Sequence, residues 1–126
     1  MSKLFGPDFI ALQVRDLEIS KLFYMEHLQL SLADQSPPGA VVFKTSPIPF
    51  AIRTAAIDLS ASPQLGWGVA IWLACRDADF FYESLQKAAV SILTPIHDGP
   101  FGRFFNFKDP DGYSITLHTK TTHATT

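Results

Sequence analysis

Val14-Arg15-Asp16-Leu17-Glu18 and Cys75-Arg76-Asp77-Ala78-Asp79 are the two stretches that decide the fold, the second lying 76 − 15 = 61 residues after the first. In each, Arg-Asp is followed by an apolar and then an acidic residue, the pattern of a strand that ends and a helix that begins. Aspartate suits this junction because its carboxylate accepts bonds from the first free N–H groups of a helix. Before the first stretch, FIALQV at 9–14 alternates Ile10, Leu12 and Val14 against Phe9, Ala11 and Gln13, the period of a strand. After it, Ile19, Leu22 and Phe23 recur at helical spacing, predicting a helix to about Leu28. Short apolar runs at 30–33, 40–44 and 50–54, separated by Pro37-Pro38-Gly39 and by Pro47 and Pro49, then predict three antiparallel strands.

The same order surrounds the second stretch. Residues 68–75 form a strand with Val69, Ile71, Leu73 and Cys75 on one face, and Asp77 caps a helix with an apolar stripe of Ala78, Phe81, Tyr82, Leu85 and Ala89. Strands follow at 92–95, 103–107 and 113–119. Asp109-Pro110-Asp111-Gly112 makes the last turn, where proline presets φ and glycine relieves the tight end. The expected architecture is α+β: one domain over 1–126 built as βαβββ twice, at 8–56 and 68–119, with a linker at 57–67 and a frayed tail at 120–126.

Composition narrows the function. Ten Lys and Arg against twelve Asp and Glu give a net charge of −2, which offers no broad attraction to a phosphate backbone, so nucleic acid is not an expected partner. The single cysteine, Cys75, excludes a disulfide framework within the chain and fits a reducing compartment. Its strand parity points to helix packing and an inert thiol. No run is long enough to span a bilayer, and the start, MSKLFGPDF, lacks the apolar stretch of a secretory signal; a cytoplasmic protein with no membrane partner is expected. Serines 60 and 62 have no histidine motif beside them, and Gly66 and Gly68 lack the spacing of a phosphate loop.

Val14-Arg15-Asp16-Leu17 with Phe23-Tyr24 and Leu28-Gln29-Leu30, together with Gly102-Arg103 and Lys108-Asp109-Pro110-Asp111-Gly112, resembles the vicinal oxygen chelate superfamily over about residues 8–119. That superfamily includes glyoxalase I, extradiol dioxygenases, and fosfomycin and bleomycin resistance proteins. The resemblance implies two βαβββ modules whose curled mixed sheets enclose a cavity, with helices outside. In the superfamily's enzymes His, Gln or Glu hold a divalent metal. Those places fall here on Phe9, on Ala70 (9 + 61 = 70), on Thr116 and near Arg53. Phenyl and methyl groups cannot ligate, threonine is a poor neutral ligand and a guanidinium repels cations. His118 shares the parity of Thr116 but stands two residues on, roughly 6 to 7 Å along a strand. His27 suits a helix end, His97 a surface loop or pocket edge, and His123 lies in the tail. No metal and no cofactor are therefore expected.

Strand parity gives the cavity face as Phe9, Ala11, Gln13, Ala51, Arg53, Ala70, Trp72, Ala74, Ser114, Thr116 and His118. Of these, Phe9, Gln13, Arg53, Trp72, Thr116 and His118 are the candidate ligand contacts: aromatic walls with a few orienting polar groups. The alternative is an interior collapsed around its aromatics, with Arg53 reaching out to solvent. Phe101, Phe104, Phe105 and Phe107 divide between both faces of one strand, in a way that depends on whether Gly102 bends it. The expected function is metal-free binding of an aromatic or amphipathic small molecule, resembling the drug-sequestering bleomycin resistance type, in a homodimer that covers open sheet edges. The alternatives are a glyoxalase-like or dioxygenase-like metalloenzyme with an unconventional ligand set, and a noncatalytic structural or regulatory module.

Overall fold

Asp16 and Asp77 cap their helices. Asp16 Oδ1 accepts from the backbone N–H groups of Glu18 and Ile19, both at 3.1 Å, and Asp77 Oδ1 accepts from that of Phe80 at 3.1 Å. The computed structural model describes residues 3–120; the rest of the expected frayed tail, with His123, lies outside them. The chain divides into one unit ending at Ala61 and another beginning at Ser62.

In the first unit, β1 (Ile10–Val14) leads into α1 (Leu17–Leu22), followed by β2 (Ser31–Leu32), β3 (Ala40–Lys44) and β4 (Phe50–Thr54). The sheet order is β1-β4-β3-β2, with β1 parallel to β4 and the remaining pairs antiparallel. The second unit repeats this as β5 (Ile71–Cys75), α2 (Ala78–Lys87), β6 (Ile92–His97), β7 (Phe104–Lys108) and β8 (Ser114–Thr119), in the order β5-β8-β7-β6. Both sheets are mixed and open-edged. Between the repeats, a 3₁₀ turn at Leu59–Ala61 buries Leu59.

Each helix covers one face of its own sheet, and alternation sorts the strands as expected. Leu12, Val14, Phe43, Phe50 and Ile52 are buried in the first unit; Ile71, Leu85, Phe105, Phe107, Ile115 and Leu117 are buried in the second. Each fully buried aliphatic or aromatic side chain contributes about 1.5–3 kcal/mol. The turn before β8 is built on Asp109, whose Oδ1 accepts from the N–H groups of Asp111 and Tyr113 at 2.9 Å each.

Several expectations are corrected. The first helix does not run regularly to Leu28: α1 passes into a π-helical turn at Phe23–His27, and Leu30 N–H returns to the Tyr24 carbonyl. Of the apolar residues at helical spacing, only Phe23 is half-buried. Ile19 and Leu22 are exposed, while Ser20, Tyr24 and Leu28 are buried. Capping at Asp16 fixes the helix phase, and Tyr24 fills the space over the sheet with ring centroids 5.3 Å from Phe50 and 5.8 Å from Phe43. The strand expected at 30–33 shrinks to Ser31–Leu32, and that at 9–14 leaves Phe9 outside. The strand expected from 68 starts at Ile71, because Val69 N–H closes a turn onto the carbonyl of Gly66. Val69 is exposed rather than packed. The strand at 92–95 continues through Pro95 to His97, which a donor-less proline permits because β6 is an edge. Ala89 leaves the helix stripe: α2 ends at Lys87 and Ala89 adopts a left-handed φ of 60°.

Candidate functional site

The face of the second sheet away from α2 carries the most developed site. Strand register sets out two neighbouring rows across it. Trp72, Thr116 and Asn106 are successive partners on β5, β8 and β7; Ala74, His118 and Phe104 are the next. Trp72 leans along this face into the second row. Its ring centroid lies 5.4 Å from Phe104 in a stacked arrangement, 5.4 Å from His118 edge-on and 6.1 Å from Phe101 edge-on. His97 extends the group, 4.1 Å from Phe104. Offset-stacked and edge-to-face pairs are each worth about 0.5–1.5 kcal/mol beyond their burial. Even so, Trp72 stays 43% exposed and Phe101 69% exposed, so the cluster presents ring surface outward.

Backbone contacts hold these rings. His118 Nδ1 lies 3.0 Å from the Phe101 carbonyl oxygen and His97 Nδ1 lies 2.7 Å from that of Pro95, contacts in which the ring N–H donates because a carbonyl only accepts. Arg103 braces the loop that bears Phe101, its guanidinium meeting Asp79 on α2 at 3.0 Å and Asp98 at 3.3 Å. Hydrogen bonding from Arg103 holds the Asp79 carboxyl below its ordinary value. Gly99 gives Phe104 its place, since a Cβ there would strike the Phe104 ring. Gly102, at φ 105°, lies before β7 rather than within it, and a Cβ there would strike the Thr119 carbonyl oxygen.

Beside the aromatic row, a pocket of about 460 Å³ is lined by Gln64, Leu65, Gly66, Trp67, Val69, Ala70, Ile71, Leu93, Asn106, Lys108, Ser114 and Thr116. That volume lies within the roughly 300–1,000 Å³ of small-molecule sites. Trp67 is 84% exposed and Ala70 is exposed, whereas Thr116 is buried.

In the first unit, Gln13 and Arg53 are register partners on the face away from α1. Gln13 Oε1 accepts from the Ala56 N–H at 2.7 Å, which commits it to the backbone beyond β4. Arg53 is exposed and makes no ion pair among the described residues. Phe9 is half-exposed, just before β1. The structure thus brings Trp72, Thr116 and His118 onto one face and pairs Gln13 with Arg53 on another.

The places that the resemblance gives to metal ligands do not fit a divalent ion. Phe9 and Ala70 have no donor atom, Arg53 is cationic and Thr116 offers a buried neutral hydroxyl. Among the described residues, no three His, Cys, Asp or Glu side chains form a group able to hold a metal. Cys75 is half-buried, its Sγ–H directed at the His118 carbonyl at 3.5 Å, and burial pushes its thiol up.

Sequence reasoning omitted Asn106, left Phe101 and Phe104 undecided between the two faces of one strand, and left His97 between a surface loop and a pocket edge. The usable signal was alternation: Phe104, Asn106 and Lys108 share one face of β7, opposite the buried Phe105 and Phe107.

The model of the Glyoxalase/Bleomycin resistance protein/Dioxygenase superfamily matches residues 6–117. The chain belongs to this superfamily. Among solved structures, this superfamily member is similar to a protein of unknown function from Agrobacterium tumefaciens str. C58, at 25% identity and a TM-score of 0.71, covering 94% of this chain and 98% of that one. TnmS3, an antibiotic binding protein from Streptomyces sp. CB03234, is 23% identical with a TM-score of 0.71, covering 96% and 100%. FosX, a fosfomycin resistance protein from Listeria monocytogenes, is 20% identical with a TM-score of 0.72, covering 94% and 96%. The last two likenesses concern the fold alone. No curated protein matches the chain. Among the described residues, no helix is long and apolar enough to cross a membrane.

Proposed function

We propose that this superfamily member is a metal-free cytoplasmic protein that binds an aromatic or amphipathic small molecule and sequesters it, working as a homodimer. The observation that carries the reading is the outward-facing aromatic cluster of Trp72, Phe104, Phe101 and His118. A collapsed interior would bury Trp72, and here 43% of it is open. Trp72, Thr116 and His118 are the proposed ligand contacts on the second sheet; in the first unit, taken by itself, Phe9 and Arg53 are proposed contacts, and Gln13 is one through its amide N–H groups alone, because its Oε1 accepts from the Ala56 N–H. Arg53 supplies a positive charge with no carboxylate paired to it, which suits an acidic or acceptor-bearing ligand. The unfit metal positions support binding without a metal, and an antibiotic binding protein shares the fold.

The test is fluorescence titration with a panel of planar aromatic antibiotics in a Trp67→Phe background, where Trp72 is the sole tryptophan. The expected result is a saturable change in Trp72 emission. Trp72→Ala should then weaken binding tenfold or more, about 1.4 kcal/mol, measured by calorimetry. Stoichiometric metal in the purified protein, with activity lost to a chelator, would overturn the metal-free reading. A silent Trp72 across the panel would overturn the binding site.

A further inference from the structure

We infer that Lys108 is the specificity-determining residue of the second unit, selecting aromatic ligands that carry a carboxylate or a comparable anionic group. The inference rests on the binding reading above and deepens it by fixing the charge of the ligand that this unit takes. Lys108 is the last residue of β7 and the register partner of Ser114 on β8, on the face that also carries Asn106. Of the residues lining the 460 Å³ pocket it alone carries a charge, and no carboxylate lines the pocket with it. It makes no ion pair among the described residues. The adjoining carboxylate, Asp109, is buried, and its Oδ1 accepts from the N–H groups of Asp111 and Tyr113. The positive charge at this pocket is therefore not balanced from its own wall.

The rest of the wall suits the body of an aromatic acid. Leu65, Trp67, Val69 and Leu93 supply apolar surface, and the turn that bears Trp67 is anchored at both ends. Val69 N–H closes it onto the Gly66 carbonyl at 3.0 Å, and Gln64 Nε2–H donates to the Gly112 carbonyl at 3.1 Å. Gly66, at φ 70°, sits against the Tyr113 ring, where a Cβ would lie 3.1 Å from the nearest ring carbon. Tryptophan is highly buried on average, so an indole 84% exposed on a fixed turn is notable as recognition surface. Ring surface and ammonium border one pocket, and a flat acid answers both: its rings cover apolar wall while its carboxylate meets Lys108. Bonds between ionised partners are roughly twice as strong as neutral ones, which makes charge the feature on which this pocket discriminates.

The matched probes are 2-naphthoate, ionised at pH 7.5, and 2-naphthamide, its neutral isostere. Binding of each to the full chain is measured by calorimetry and located by ¹H–¹⁵N NMR through the indole N–H signals of Trp67 and Trp72. The expected outcome is that both probes shift the indole signals and that 2-naphthoate binds about tenfold tighter, an advantage that shrinks several-fold between about 50 and 500 mM salt. Lys108→Met should bring the two probes to the same affinity, and Lys108→Arg, which keeps the charge, should keep the preference. Lys87→Met removes the same charge from the end of α2 and should also keep the preference, which separates a local contact from the net charge of the protein. Equal affinity of the two probes with the indole signals still shifted, or a preference that survives Lys108→Met, overturns this inference and leaves the binding reading standing. Indole signals unmoved by either probe up to its solubility overturn both.

Discussion

At the scale of single residues, exposure and hydrogen-bonding state divide the polar side chains into those that hold the fold and those that remain for a ligand. Arg103 belongs to the first group. Its bonds to Asp79 and Asp98 tie α2 to the loop bearing Phe101, and all three side chains are partly open to solvent, so the gain is small and salt-sensitive. The folded Asp79 carboxyl lies below its ordinary value of 3.8 chiefly through the Arg103 hydrogen bonds. A depressed carboxylate value stabilises the fold above the unfolded value, and that contribution is lost as pH falls through the folded one. Arg103→Gln should therefore lower Tm modestly at pH 7, and the difference from the parent should close below about pH 4, as followed by circular dichroism. A gap that stays constant to pH 3 would contradict this account. Cys75 also belongs to the structural group: with burial raising its thiol, alkylation by iodoacetamide at pH 7.5 should be slow in the folded protein and fast in denaturant. Parity made Trp72, Thr116 and His118 legible in the sequence. Gln13 was legible as a position but not as a bonded group, because its partner, the Ala56 N–H, lies 43 residues away.

Elements were easiest to read where one side chain dictates the backbone. Asp16, Asp77 and the Asp109 turn announce themselves, since short carboxylates bond the N–H groups just after them. The face of the first helix was harder to read: Ile19 and Leu22 are apolar, yet the sheet is covered by Ser20, Tyr24 and Leu28, and only the aromatic cage of Phe43 and Phe50 explains the choice. Helix ends reveal a shared cost. Gln29 follows the first helical segment and Ala89 follows α2, both at φ 60°, a conformation that favours glycine. Ala89→Gly should raise stability by about 0.5–1 kcal/mol in a denaturant titration, because relief of left-handed strain outweighs the added freedom of the unfolded chain. Gly99 works in the opposite sense. Its φ is ordinary, but a methyl group there meets the Phe104 ring, a side chain that can move. Gly99→Ala should leave the fold intact while shifting Phe104 off Trp72, and so reduce aromatic ligand affinity several-fold in the fluorescence titration.

For the whole molecule, the repeat explains why so short a chain makes two complete sheets and why each remains unfinished. Every βαβββ unit has one helix to cover one face, so the other face is left without a helical layer of its own, and it is there that Trp72, Asn106 and Arg53 stand. Strand order leaves β1 and β2 as edges of the first sheet and β5 and β6 as edges of the second, with backbone N–H and C=O groups unpaired within each unit. Spacing in the sequence exposed the repeat, because the caps recur at 61 residues; the fate of the edges was not legible, since pairing depends on partners that sequence alone does not name. Open edges are hazardous in a soluble protein and are commonly closed by symmetry. The homodimer proposed above follows from this, and light scattering coupled to size exclusion should give a mass of about 28 kDa, 2 × 13.9 kDa, at tens of micromolar chain. Dilution should lower Tm, because dissociation is linked to unfolding when partner contacts stabilise the native state. A mass of 13.9 kDa with a concentration-independent Tm would mean that the edges are protected within one chain, and the dimer would be withdrawn while the ligand face of the second sheet stood unchanged.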